Sequence, residues 1–269
     1  MTVSDSPSTG RMPVLLRYDI APGVTAFSTT RKGGVSQGLY GEFNINHYCG
    51  DDETCIAANT KALCRLLGID SAHLVYPHQV HGTVVRQIEA DWPLLTDDVH
   101  KQLLEGVDAV MTDVAGLCIG VSTADCIPVL LYDEAHHACA AIHAGWRGTT
   151  ARIAEKAVQA MIKAYHTDAS QIKAVIGPGI SLDNFEVGDE VYEAFAQAGF
   201  DMERIAHRYA KWHIDLWEAN RLSLLRMGVV GTNIHTAGIC TYNQAGRFFS
   251  ARRLGIASGR IFTGITFSS

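Results

Sequence analysis

LCIGVSTADCIPVLLYD at 117–133 and HACAAIHAG at 137–145 are near-continuous apolar runs, punctuated by Gly, Pro and Asp. Such runs suit strands covered on both faces, because a sheet with one wet side alternates polar and apolar residues. Downstream, Ile153, Ala157, Val158, Met161, Ile162 and Tyr165 recur at helical spacing and predict a helix from about Thr150. KAVIGPGI (173–180) reads as strand then turn, Asp189 to Ala198 contains a helix, and Trp217 to Met227 is a helix stopped by Gly228. The closing GRFFSARRLGIASGRIFTGITF is strand-like again. Upstream, VTAFSTT (24–30) is a strand running into a turn at Arg31-Lys32-Gly33-Gly34. Asp51 and Asp52 are N-cap candidates for a helix ending at Leu67-Gly68, and a strand is expected around Val80, Val84 and Val85. Strands outnumber helices without strict βαβ alternation, which favours a layered α/β sandwich with mixed sheets.

The 269 residues, 47% hydrophobic and 19% charged, are ordinary for a globular chain able to bury one large core. A formal net charge of −6 argues against a nucleic-acid partner, since neutralising phosphates needs clustered Lys and Arg. No run of 18 apolar residues exists, so no membrane span is expected. Residues 1–12 are rich in Ser, Thr, Pro and Gly and lack an apolar signal core; they read as a flexible tail before one domain over 13–269. Seven cysteines (49, 55, 64, 118, 126, 139, 240) form no CxxC pair and are odd in number, which points to reduced thiols and a cytoplasmic setting.

The reactive groups concentrate in three segments: Pro77-His78-Gln79-Val80-His81-Gly82, Thr123-Ala124-Asp125-Cys126-Ile127-Pro128 and His143-Ala144-Gly145-Trp146-Arg147-Gly148. Each sets a metal-binding side chain at the end of an apolar strand, where a rigid core hands groups to a cleft. His81, Cys126 and His143 would give two imidazoles and a thiolate, a set that suits zinc (Zn2+) and leaves the open fourth position of a catalytic site. Spacing alone leaves this open, because the three lie far apart in sequence. His78 competes with His81: on an extended strand residues three apart point to opposite faces, so one of them is excluded. The glycine after His81 lets the backbone approach a site, which favours His81. Asp125 ends an apolar run, and a buried carboxylate demands partners.

The motifs QVHG (79–82), ADC (124–126) and HAGWRG (143–148) closely resemble those of the YfiH-like family, known also by the labels purine nucleoside phosphorylase, peptidoglycan editing factor and multicopper polyphenol oxidase (laccase). The likeness continues through STTRKGGVS (28–36), Asn44, Gly50-Asp51, Ile176-Gly177-Pro178, Phe185 to Gly188, Cys240-Thr241, FFSARR (248–253) and Gly259-Arg260. It implies a single-domain four-layer α/β/β/α sandwich with zinc on His81, Cys126 and His143. It also implies phosphorolysis of adenosine, inosine and methylthioadenosine, and deamination of adenosine. A further activity linked to the family releases L-Ser from a UDP-muramyl nucleotide. Asn46 departs from the pattern, which usually has Gly there.

On these expectations the catalytic set is Cys126, His81, His143 and Asp125, with Asp125 shuttling a proton or orienting a ligand imidazole. Phosphate needs a cationic cradle, for which Arg31, Arg147 and Arg252 are the candidates, with Asn44 beside them as a substrate residue. Arg147 draws further support from the first amides of the helix after it. Copper is disfavoured: the chain contains no His-x-His pair of the kind that builds a trinuclear cluster, and none of its six Met lies beside the three ligands. A metal-free hydrolase with Cys126 as nucleophile and His143 as base is the rival reading.

Overall fold

The structure is a computed structural model describing residues 12–268, so all but Met12 of the expected tail lies outside the described residues. The chain begins with β1 (Leu15–Tyr18), β2 (Val24–Thr29) and α1 (Glu53–Leu67). A loop separates β3 (Leu74–Val75) from β4 (Val85–Gln87), and α2 (Asp97–Leu104) precedes β5 (Ala109–Thr112). The apolar centre forms β6 (Cys118–Thr123), β7 (Ile127–Asp133) and β8 (Ala138–Ala144). Next come α3 (Trp146–Thr150), α4 (Ile153–Tyr165), β9 (Lys173–Ile176) and β10 (Glu186–Val187). They are followed by α5 (Asp189–Gln197), α6 (Met202–Ile205), β11 (Ala206–Arg208), β12 (Trp212–Ile214) and α7 (Leu216–Arg226). Last are β13 (Ile234–Thr236), α8 (Ala251–Leu254) and β14 (Ile261–Phe267).

Two mixed sheets stack face to face, one ordered β1-β2-β14-β6-β3 and the other β13-β9-β7-β8-β5-β4; β10-β12-β11 is a small third sheet. Alternate residues of the central runs fill the space between the large sheets: Ile119 and Val121 of β6 and Ile265 of β14 meet Leu130, Cys139 and Ala141 of β7 and β8. The other face of β7 and β8, with Val129, Leu131, Ala140 and Ile142, takes the apolar stripe of α4 and Leu216 and Leu224 of α7. Phe27, Cys118 and Phe262, on the far face of the first sheet, pack on Leu63 and Cys64 of α1. The order is α/β/β/α, and burial on both faces is why the central strands read as unbroken apolar runs. Pro128 is tolerated in β7 because the β9 ladder begins one residue later, at Val129.

The caps follow the expected chemistry. Asp52 accepts the Thr54 and Cys55 amides at the start of α1, and Gly68 closes it at φ 70°. Four expectations need correction. The strand expected around Val80, Val84 and Val85 begins only at Val85: residues 76–84 contain no strand, and Val80 and Val84 are about half exposed, because the amides of residues 80–82 bond to a side-chain carboxylate instead of a ladder. The helix expected near Thr150 starts at Trp146 and breaks at Arg152, held at φ 65° with its guanidinium over Phe200 and bonded to Glu155. Ile162 lies on the exposed side of α4. Residues 246–267 are strand only in β14; Ser250 instead caps the short helix α8 through the Arg253 amide.

Candidate metal centre

The chain passes from one large sheet to the other at Ala124-Asp125-Cys126, between β6 and β7. Asp125 makes this crossing at φ 84°, a conformation that side chains with a local hydrogen bond tolerate best. Its carboxylate accepts the Thr241 hydroxyl at 2.7 Å and the Arg252 amide at 2.6 Å, and its carbonyl accepts the Ile180 amide. Cys126 is thereby fixed where the sheets part. His143, one residue from the end of β8, is buried beside it. His81 reaches the same point from the loop after β3, at φ 61°. The three ligand atoms lie within 4.8 Å of one another, with His81 Nε2 3.8 Å from Cys126 Sγ.

Asp108, just before β5, organises this cluster. Its oxygens accept the amides of Val80, His81 and Gly82 at 3.2, 2.9 and 2.7 Å, and Nδ1 of His143 at 2.7 Å. One buried carboxylate thus holds the His81 loop and turns Nε2 of His143 toward the other ligands. Burial opposes its charge, but His143 and the amides hold its carboxyl below the usual range. Burial also works against a thiolate at Cys126, yet His143 and His81 bring that thiol down to about 6. His143 shifts upward, because Cys126 and Asp108 outweigh its desolvation.

The residues fit a metal ion in two further respects. A methyl group added at Gly145 would stand 2.9 Å from Cys126 Sγ and 3.0 Å from His81 Cδ2, so the space among the ligands depends on that glycine. Two imidazole nitrogens and a thiolate are a zinc donor set, and the three side chains line a cavity of about 710 Å³.

Of the residues singled out from sequence, the cavity gathers His81, Cys126, His143, Asp125, Arg252 and His78. His78 is absent from the ligand cluster, although the reason is not strand geometry: its Nδ1 bonds both oxygens of Glu105 at 2.9 Å. The imidazole-orienting role considered for Asp125 belongs to Asp108. Arg31 and Asn44 do not line the cavity. Arg31 donates to the Gly41 and Ala245 carbonyls, and Asn44 is buried between Asp51 and the Arg260 amide. Arg147 is exposed and stacks on Trp146, and the five-residue α3 presents no cradle for it. Sequence reasoning overlooked Asp108 and Tyr48, and gave no role to Phe185 and Arg260 although both lie in the motifs quoted above. For Asp108 the signal existed: a carboxylate in the apolar stretch Val107 to Met111 poses the same question as Asp125.

Comparison with known proteins agrees with this architecture. Residues 25–268 match the family model described as multi-copper polyphenol oxidoreductase laccase. A purine nucleoside phosphorylase of Bacteroides thetaiotaomicron is 47% identical over 245 residues, covering 90% of this chain and 91% of that protein. Adenosine deaminase RL5, from an unknown prokaryotic organism, is 44% identical over 246 residues, covering 90% and 94%. The crystal structure of YlmD from Geobacillus stearothermophilus superposes with a TM-score of 0.88 at 28% identity, covering 99% of each chain. With nearly the whole described chain matched, the protein belongs to the YfiH family of multi-copper polyphenol oxidoreductase laccase-type sequences.

Proposed function

We propose that this chain is a zinc-dependent purine nucleoside enzyme that phosphorolyses adenosine, inosine and methylthioadenosine and deaminates adenosine, acting as one catalytic domain in the cytoplasm. The observation that carries the reading is the cluster of His81, Cys126 and His143 opening onto a cavity large enough for a nucleoside, in a chain so close to relatives named for those two activities. Zinc held there by His81, Cys126 and His143 would supply a Lewis acid. Asp108 keeps His143 and the His81 loop in ligating orientation. Trp146 and Phe185 line the cavity as aromatic surfaces for a planar base, and Arg252 and Arg260 bring the positive charge that a phosphate dianion needs. Because Arg252 and Arg260 line the cavity, they are favoured for phosphate over Arg31 and Arg147, although their guanidiniums also donate to backbone carbonyls such as those of Glu186 and Ser258.

Copper oxidation has less support. Among the described residues, His81, Cys126 and His143 are the one cluster of three such ligands, and no Met lines the cavity. The free seven cysteines accord with a reducing compartment, and among the described residues no helix is long and apolar enough to cross a membrane. The test is purified, metal-quantified protein given adenosine with and without phosphate. Adenine and ribose 1-phosphate are expected with phosphate, and inosine by the deaminase route. Absence of purine products, with serine released from the L-Ser UDP-muramyl nucleotide, moves the assignment to the editing hydrolase. Full activity after chelation moves it to the metal-free Cys126–His143 hydrolase.

A further inference from the structure

His78, which lines the cavity, forms with Glu105 a second imidazole–carboxylate couple that the metal centre does not use. His78 Nδ1 bonds both Glu105 oxygens at 2.9 Å, and its backbone amide bonds the Leu104 carbonyl at 3.0 Å. The ring stacks on Tyr48, centroids 4.0 Å apart and 21° from parallel. Both His78 and Tyr48 line the cavity that contains the metal ligands. With Nδ1–H given to Glu105 and the ring held by Tyr48, the remaining nitrogen, Nε2, has no hydrogen-bond partner among the described residues. Its side chain is one-third exposed, open to proton exchange with solvent.

The other titratable groups of the cavity are spent. His81, Cys126 and His143 form the ligand cluster. Asp125 accepts two hydrogen bonds, from Thr241 and the Arg252 amide, and arginines do not release protons. Burial and the Glu105 charge push the Tyr48 phenol up, which makes it a weaker proton donor than an imidazolium. Cleaving or deaminating a purine nucleoside nevertheless requires a proton to reach the purine ring.

We infer that His78 is the general acid for the departing purine, with Glu105 as its positioning residue; the inference rests on the phosphorolysis reading above. As the C1′–N9 bond breaks, its electron pair passes onto the purine, and the Nε2 proton of the His78 imidazolium goes to N7. An oxygen of hydrogen phosphate bonds C1′, and the proton this releases returns through solvent to His78. Neutral purine and ribose 1-phosphate leave, and the imidazolium is restored.

The leaving group provides the test. In 7-methylinosine the base already carries the positive charge that protonation would create, so it departs without an acid. His78→Gln should lower inosine phosphorolysis by about a hundredfold or more and 7-methylinosine phosphorolysis by no more than about threefold. Glu105→Gln should show the same substrate pattern with a smaller loss, about tenfold. Zinc content and melting temperature of both variants should match the parent. Equal losses on the two nucleosides, no loss on either, or a metal-poor His78→Gln protein would overturn the assignment. If the parent protein itself yields no hypoxanthine from inosine and phosphate, the phosphorolysis reading fails and His78's role falls with it. An active parent with no substrate discrimination removes the His78 role alone.

Discussion

At the residue scale the centre depends on a few atoms whose removal has separable effects. His81→Ala, Cys126→Ala and His143→Ala should each lose bound zinc, whereas His78→Ala should keep it, since Glu105 and Tyr48 hold that ring apart. Metal quantification on purified variants decides; a metal-free His78→Ala protein would reverse the assignment. Gly145→Ala probes space rather than ligation. Gly145 sits at φ −69°, ψ 170°, which alanine adopts freely, yet its methyl would press on Cys126 Sγ and His81 Cδ2. Zinc affinity should fall at least tenfold with little change in melting temperature. Wild-type affinity in Gly145→Ala would mean that the ligands settle elsewhere. The Cys126 thiol, held near 6, is mostly thiolate at pH 7 once the metal is removed. Alkylation of Cys126 in chelated protein should therefore rise with pH through about 6 and level off by pH 8, and bound zinc should block it. A rate still climbing at pH 8 would show an ordinary thiol.

Between elements, Asp108 does the joining. It stands just before β5, bonds the loop that carries His81, and orients the ring that β8 supplies. Asp108→Asn keeps the shape but puts an amide donor where the carboxylate accepted four hydrogens. A lost charge-assisted bond and an unsatisfied buried donor should cost about 2–3 kcal/mol in urea unfolding, and zinc affinity should drop 10- to 100-fold. A stable variant with unchanged affinity would show that the loop and ring hold themselves. The same element scale explains the failed strand around Val80 and Val84. Three successive amides bond one carboxylate, and no register in the six-stranded sheet is available to them before Val85. A β-branched pattern read in one dimension does not register a competing acceptor 26 to 28 residues away.

At the scale of the whole molecule, the candidate metal centre lies where the sheets part, and the apolar layers on either side are complete without it. Chelation should abolish activity but leave far-UV circular dichroism intact; its collapse would make the ion a staple of the fold. Free zinc at a thousandfold over its Kd should restore about 4 kcal/mol of stability. A layered sandwich was legible in the sequence because burial on both faces is written directly into 117–133 and 137–145, whereas its four-layer order came from the family resemblance; Asp52 and Gly68 mark a helix through purely local chemistry. The reactive residue types were legible too, since a thiol, two imidazoles and a carboxylate at strand ends need no neighbours to be noticed. Their directions were not. His81 and Asp125 take positive φ, Arg31 turns to a backbone carbonyl and Asn44 to the Asp51 carboxylate, and Asp108, 35 residues from His143, becomes its partner. What a side chain can do chemically is set by its own atoms, and the sequence determined that. Which groups meet depends on where the chain crosses between sheets and which distant acceptor satisfies each buried donor, and only the tertiary structure decided it.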